Sequence, residues 1–134
     1  NATYYSALGE SDQKMLLARA IQMFMPGKPQ IWYLDLFAGK NDHEAVQRAG
    51  ESGHKEINRT NLSVDQIAEG LKKDVVQKQL ALIRMRNTHK AFSEGAEVTI
   101  SGEESSLEIR WEYDGAYAEL HVNFEEGTYT IESN

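Results

Sequence analysis

The hydrophobic period of this chain changes at residue 91, and that change limits the folds open to it. Beyond Ala91 the apolar residues fall at every second position. They are Ala96, Val98 and Ile100; then Leu107, Ile109, Trp111 and Tyr113; then Ala118, Leu120, Val122 and Phe124; then Tyr129 and Ile131. Such alternation marks strands with one buried and one solvated face. Asp114-Gly115 reads as a tight hairpin turn, and Glu125-Glu126-Gly127 as another turn. The pattern predicts an antiparallel β-meander over 91–134. Upstream of residue 91 the period is helical, so the predicted class is α+β with a domain boundary there.

The first helix is expected over 11–25. Ser11 is a suitable N-cap, Asp12 complements the first turn, and Leu17, Ala20, Ile21 and Phe24 recur on one face. Pro26-Gly27 ends it. The run Gln30-Ile31-Trp32-Tyr33-Leu34 is short, continuous and apolar, which suits a strand buried on both faces of a parallel sheet. No second run of this kind occurs, so its partner strands are expected to lie outside the chain. Residues 35–62 form a long polar connection with a short helix near Asp42–Arg48. Ser63-Val64-Asp65-Gln66 reads as a capping box. A longer helix is expected over 73–90, with Val76, Leu80 and Ile83 on one face. Arg84, Arg86, His89 and Lys90 load its C-terminal turns with positive charge.

Charge and composition exclude several classes. The net charge of −7, with scattered basic residues, argues against nucleic acid and fits simple solubility. With no cysteine there is neither a disulfide nor a thiolate metal site. No apolar run approaches the roughly 20 residues of a membrane helix. The N-terminus lacks the features of a signal peptide, so the expected location is cytoplasmic. It also lacks an initiator Met, as in a processed chain or one cut from something longer.

His43, His54, His89 and His121 show no metal-ligand spacing, and no metal or cofactor is expected. His89 and His121 read as solvated-face residues. Trp32 and Tyr33 read as core rather than as a sugar platform. Tyr4 and Tyr5 stand evenly between core packing and lining a site. The best candidate for chemistry is Gly53-His54-Lys55-Glu56-Ile57-Asn58-Arg59. There His54, Lys55 and Arg59 place cations in one loop, where they can meet an anion such as phosphate.

Four segments carry a family likeness: Thr3-Tyr4-Tyr5-Ser6-Ala7-Leu8-Gly9, Pro26-Gly27-Lys28-Pro29-Gln30, Ala38-Gly39-Lys40-Asn41-Asp42 and Ile57-Asn58-Arg59. In this order they resemble the C-terminal part of sucrose phosphorylase-like enzymes of glycoside hydrolase family 13. The group acts on sucrose, sucrose 6-phosphate or glucosylglycerate. The likeness is specific from residue 3 to about 90 and rests on element type beyond it. It implies that 1–90 is the C-terminal segment of a (β/α)₈ barrel, with 11–25 as its seventh helix, 30–34 its eighth strand and 73–90 its closing helix. Residues 91–134 become the small β-domain that follows, and 35–62 the last active-site loop.

The reaction so implied is phosphorolysis of an α-glucoside with net retention. It uses an Asp nucleophile, a Glu acid/base and a second Asp. All three lie upstream, so no catalytic residue is carried over and the fragment is expected to be inactive. Its parent's partners are phosphate and an α-glucoside, and the orphaned 30–34 strand offers a homo-oligomer contact. The family's Gly-Arg-Asp-Ile-Asn-Arg run reads here with Lys55 in the first Arg position and His54 as an insertion. Lys is a point charge without Arg's planar fork, which favours an anionic acceptor over plain sucrose. The alternatives are the tail of an α-glucosidase-type hydrolase and a stand-alone binding module.

Overall fold

Polar caps and turns place most of the secondary structure where local chemistry demands it. The computed structural model describes residues 1–134, the side chain of Ser52 excepted. Helix α1 (Tyr4–Ala7) starts at Thr3, whose hydroxyl accepts from the Ser6 amide. Helix α2 (Asp12–Phe24) is capped by Ser11, whose Oγ accepts from the Lys14 amide at 3.2 Å. One turn, α3 (Tyr33–Leu36), precedes α4 (His43–Ala49), which Asp42 caps through the Ala45 amide. A 3₁₀ segment follows (Gly50–Asn58), then α5 (Val64–Gly70) and α6 (Asp74–Thr88). The capping box predicted at Ser63 and Gln66 is formed in both directions. After a 3₁₀ turn (Lys90–Phe92) come strands β1 (Glu97–Glu103), β2 (Ser106–Tyr113), β3 (Ala116–Asn123) and β4 (Thr128–Ser133).

The four strands form one antiparallel sheet in sequence order, the predicted meander. Asp114 and Gly115 both have positive φ, 47° and 81°, as a primed hairpin turn requires. The register pairs Ile109 with Leu120 and Trp111 with Ala118, and all four are buried. The buried alternation thins out on edge strand β1, where Ile100 is about half exposed, and ends before Phe124, which lies half exposed in the turn after β3.

The expected strand over 30–34 is absent. Residues 30–32 carry no regular structure, and Tyr33–Leu36 closes into a helical turn. A parallel strand takes its hydrogen bonds from neighbours, and this chain supplies none. Trp32 keeps extended dihedrals (φ −72°, ψ 137°), and its carbonyl starts α3. Trp32 (51% exposed) and Tyr33 (37%) are not core residues, contrary to the sequence reading, whereas Leu34 is buried.

The contacts divide the chain into two units along a different line from the change of period at residue 91. One unit is Asn1–Met15 with Gln30–Lys78; the other is Leu16–Pro29 with Gln79–Asn134. The second holds the larger apolar core, built from Ala20, Met23, Phe24, Leu82 and Ala91 with the inner face of the sheet. Phe92 stands edge-on to Phe24 (5.3 Å) and tilted to Trp111 (5.1 Å). The Trp111 indole donates to the Phe24 carbonyl at 2.6 Å. Arg86 donates to the carbonyls of Met23 (2.6 Å), Met25 (2.9 Å) and Gly27 (2.7 Å) while its guanidinium lies 4.4 Å from the Trp111 ring centroid. In the same unit the buried Arg19 donates to the buried Gln79 at 2.9 Å.

Arg86 is therefore the residue whose loss this unit should feel most. Arg86→Ala leaves helix-end carbonyls unmet and removes a cation from an aromatic face, an expected loss of about 2–4 kcal/mol. Arg86→Lys should recover less than half of that, because an ammonium cannot fork between separated carbonyls. Urea denaturation monitored through tryptophan fluorescence checks both values; a Lys variant as stable as the parent refutes the assignment.

Candidate functional site

Hydrogen bonds between the sequence motifs assemble the first unit. The Thr3 amide donates to Asn41 Oδ1 at 2.7 Å, and the Asn41 amide donates back to Ser6 Oγ at 2.9 Å. The Tyr4 amide donates to Asp35 Oδ1 at 2.9 Å. The Asp42 amide donates to the Ile57 carbonyl at 2.8 Å. Asn58 closes the circuit: its side-chain amide reaches the Ala2 carbonyl (3.3 Å), and its own carbonyl accepts from the Trp32 indole (3.2 Å). Three of the four motif segments thus converge, from residues 3–9, 38–42 and 57–59. Gly39 belongs here for a steric reason, since a Cβ at that position would fall 2.4 Å from the Leu34 side chain.

Trp32, Asp35, Asn58 and Arg59 line a cavity of about 270 Å³. It offers a half-exposed indole, a carboxylate fixed by a backbone amide, and a guanidinium. Trp32 packs against Tyr33 with ring centroids 4.8 Å apart at 48°. Arg59 is exposed, and among the described residues no ion pair engages its side chain. His54 and Lys55 are exposed on the 3₁₀ segment, and neither lines the Arg59 cavity. The structure therefore brings Arg59 into a cleft and leaves His54 and Lys55 on the open surface.

Tyr5 is half-buried and not part of the apolar core. It lines a cleft of about 400 Å³ with Asp12, Ala38, Lys40, Lys73 and Asp74. Its hydroxyl donates to Asp12 Oδ1 at 2.8 Å, and that hydrogen bond to a carboxylate raises the phenol pKa above its ordinary value.

Sequence spacing missed one grouping. Glu108, Glu119 and His121 present ligand-type atoms within 4.8 Å of one another on the outer face of β2 and β3. Cross-strand register is the signal that finds it, because Glu108 lies opposite His121 and Arg110 opposite Glu119. Arg110 donates to Glu119 at 2.8 Å, which holds the guanidinium pKa above its usual value and compensates that carboxylate. His89 caps the 3₁₀ turn by accepting from the Ala91 amide.

No family model matches the chain. Individual proteins do. It is 51% identical to the sucrose 6(F)-phosphate phosphorylase of Ilumatobacter coccineus over 131 residues, 98% of this chain and 25% of that one. It is 39% identical to the sucrose phosphorylase of Streptococcus mutans over all of this chain and 28% of the relative. It is 37% identical to the glucosylglycerol phosphorylase of Marinobacter adhaerens over 90% and 25%. The crystal structure of the sucrose 6F-phosphate phosphorylase from Thermoanaerobacter thermosaccharolyticum superposes with a TM-score of 0.92 at 42% identity, covering 99% of this chain and 26% of that one. The resemblance to the C-terminal part of sucrose phosphorylase-like enzymes thus extends over the whole chain, the sheet included. The chain spans about a quarter of the length of the curated relatives it matches.

The motif circuit makes a prediction of its own. Asn41→Ala removes the acceptor for the Thr3 amide, at an expected cost of about 1 kcal/mol. Amide exchange should then quicken at Thr3 and Ser6 while the sheet amides of β2 and β3 keep their protection. Unchanged exchange at Thr3 would show that the side chain of Asn41 does not hold the N-terminal turn.

Proposed function

We propose that this chain is the C-terminal fragment of a retaining α-glucoside phosphorylase that moves a glucosyl group between a glucoside and phosphate. The observation that carries the reading is the unbroken similarity over about a quarter of phosphorylases that bear three different substrate names. In this reading 1–90 ends a (β/α)₈ barrel and 91–134 is the appended β-domain. The apolar run at 30–34 supports it, because Trp32 and Tyr33 stay exposed here and other polypeptide would cover them. The same exposed side chains offer the isolated chain a contact with a second copy.

The Asp nucleophile, the Glu acid/base and the second Asp of such an enzyme lie outside these residues, so the fragment alone is inactive. Its contribution is the last active-site loop, 35–62. There Lys55, His54 and Arg59 supply positive charge to phosphate or to an acceptor that carries its own anion. An ammonium serves a phosphate or carboxylate without demanding a planar bidentate partner. The substrate is thus a sucrose 6-phosphate or glucosylglycerate type of glucoside, and the setting is cytoplasmic sugar metabolism.

Assay of the full-length parent tests this. Glucose 1-phosphate should form only when inorganic phosphate is added. Release of free glucose regardless of phosphate identifies a hydrolase and ends the reading. Lys55→Ala should raise KM for an anionic acceptor about tenfold, the equivalent of one charge-assisted hydrogen bond. The kcat with that acceptor should change little. Fructose preferred over every anionic acceptor defeats the role given to Lys55 but leaves phosphorolysis standing.

A further inference from the structure

The solvent face of the sheet gathers carboxylates around one imidazole. In register, Glu97 lies opposite Glu112, Glu108 opposite His121, and Arg110 opposite Glu119, which in turn lies opposite Glu132. On β2 and β3 these positions alternate with the buried Ile109, Trp111, Ala118 and Leu120, so they project from the outer side. At the centre, His121 stands between two carboxylates. Its Nδ1 bonds to Glu108 Oε1 at 3.3 Å, and its Nε2 lies 3.3 Å from Glu119 Oε1. The second contact lacks hydrogen-bond geometry: Nε2 is closed off from solvent and has no hydrogen-bond partner among the described residues. A carboxylate only accepts, so the bond to Glu108 puts the proton of a neutral ring on Nδ1. That leaves the Nε2 lone pair facing an anionic oxygen, an arrangement that calls for a cation between them.

We propose that this cluster binds one divalent transition-metal ion of the zinc class. His121 Nε2 and Glu119 Oε1 are the direct ligands, and Glu108 is the carboxylate that orients the ring. Two ligands on a tetrahedral zinc ion, with bonds of about 2.0–2.2 Å, stand about 3.3–3.6 Å apart. The separation of Nε2 from Oε1 matches that edge. Ligand-type atoms of all three residues lie within 4.8 Å of one another. Each ligand also has the outer partner that metal ligands use: Glu108 fixes the tautomer of His121, and Arg110 holds the other oxygen of Glu119, Oε2, at 2.8 Å. Arg110 lowers the affinity without closing the site, because it leaves Oε1 toward His121 and its single charge is outweighed by Glu108, Glu112 and Glu132 nearby. An imidazole ligand selects zinc over calcium or magnesium, which take oxygen donors. Water completes the coordination, and the bound ion fastens β3 to β2 on the solvent side. All of these residues belong to the second unit, so the site stands apart from the loop assigned to phosphate.

Calorimetric titration of the 134-residue chain with zinc chloride, in a buffer that does not chelate metals, should show one ion per chain. Calcium and magnesium at the same concentration should show none. His121→Ala and Glu119→Gln should abolish saturable binding. Glu108→Ala should weaken it about tenfold, as loss of an outer-shell partner does. Glu108→Gln should recover most of that, because an amide oxygen still accepts from Nδ1–H. His43→Gln and His54→Gln, in the other unit, should bind as the unsubstituted chain does. Near-ultraviolet circular dichroism from Trp111 verifies that each variant keeps its packed sheet. Ring-nitrogen resonances of the unsubstituted chain give the answer without a mutation: on zinc addition Nε2 of His121 should move and the rings of His43 and His54 should not. Zinc binding that survives His121→Ala, or an unmoved His121 ring, overturns the site. Calcium bound as tightly as zinc overturns the part given to the imidazole. A loss in Glu108→Gln as complete as in Glu119→Gln makes Glu108 a ligand and overturns its positioning role.

Discussion

The guanidinium of Arg86 joins the last turn of one helix to the face of a tryptophan on a strand, and the order of the second unit follows from that geometry. Pro26-Gly27 breaks α2 and leaves its final carbonyls without amide partners. Arg86 meets those of Met23 and, just past the helix, Met25 and Gly27, and lies over Trp111 and Phe92 as it does so. Trp111 takes a fourth, that of Phe24, through its indole. Burial lowers the pKa of Arg86, yet a guanidinium keeps its charge, so the cation serves at any ordinary pH. Because the donors on Arg86 are fixed in a plane, the end of α2, the C-terminal half of α6 and the inner face of β2 have one mutual arrangement within this unit. The apolar residues Ala20, Phe24, Ile109 and Leu120 then close around it.

The first unit is organised on another principle. Its buried apolar set is small, comprising Met15, Leu34, Ala38, Val75 and Val76. Most of its helices are short, and two are single turns that would not persist alone. What fixes them is a circuit of side chain to backbone bonds through Asn41, Asp42, Asp35 and Asn58. Each bond contributes about 1 kcal/mol net, so the circuit adds less stability than an apolar core would and more positional definition. A loop that presents cations needs that kind of order. A Lys or Arg on an unrestrained loop loses side-chain entropy on meeting an anion, and a restrained backbone limits the loss to the side chain itself.

Features set by local chemistry were legible in the sequence. Ser11, Asp42 and Ser63 cap the helices their neighbours predict, and Asp114-Gly115 turns the hairpin, because each acts through atoms within four residues. The strand at 30–34 was not legible as it stands here. Apolar runs report a preference for burial, and only neighbouring strands can turn that preference into a ladder. Trp32 and Tyr33 were misread for the same reason. The sequence shows their size and hydrophobicity but not whether anything covers them. Arg86 was read as a charge complementing its own helix end, whereas it complements the end of α2, more than fifty residues away in the chain. Of His54, Lys55 and Arg59, Arg59 lines a described cleft. Its neighbour Asn58, at the end of the 3₁₀ segment, belongs to the hydrogen-bond circuit, whereas His54 and Lys55 lie exposed in the middle of that segment.

The two basic residues stand in different surroundings. Arg59 shares its cavity with Trp32 and Asp35, beside an aromatic face and a carboxylate. Lys55 offers one mobile charge on a flexible stem, with full hydration to lose before it can bind.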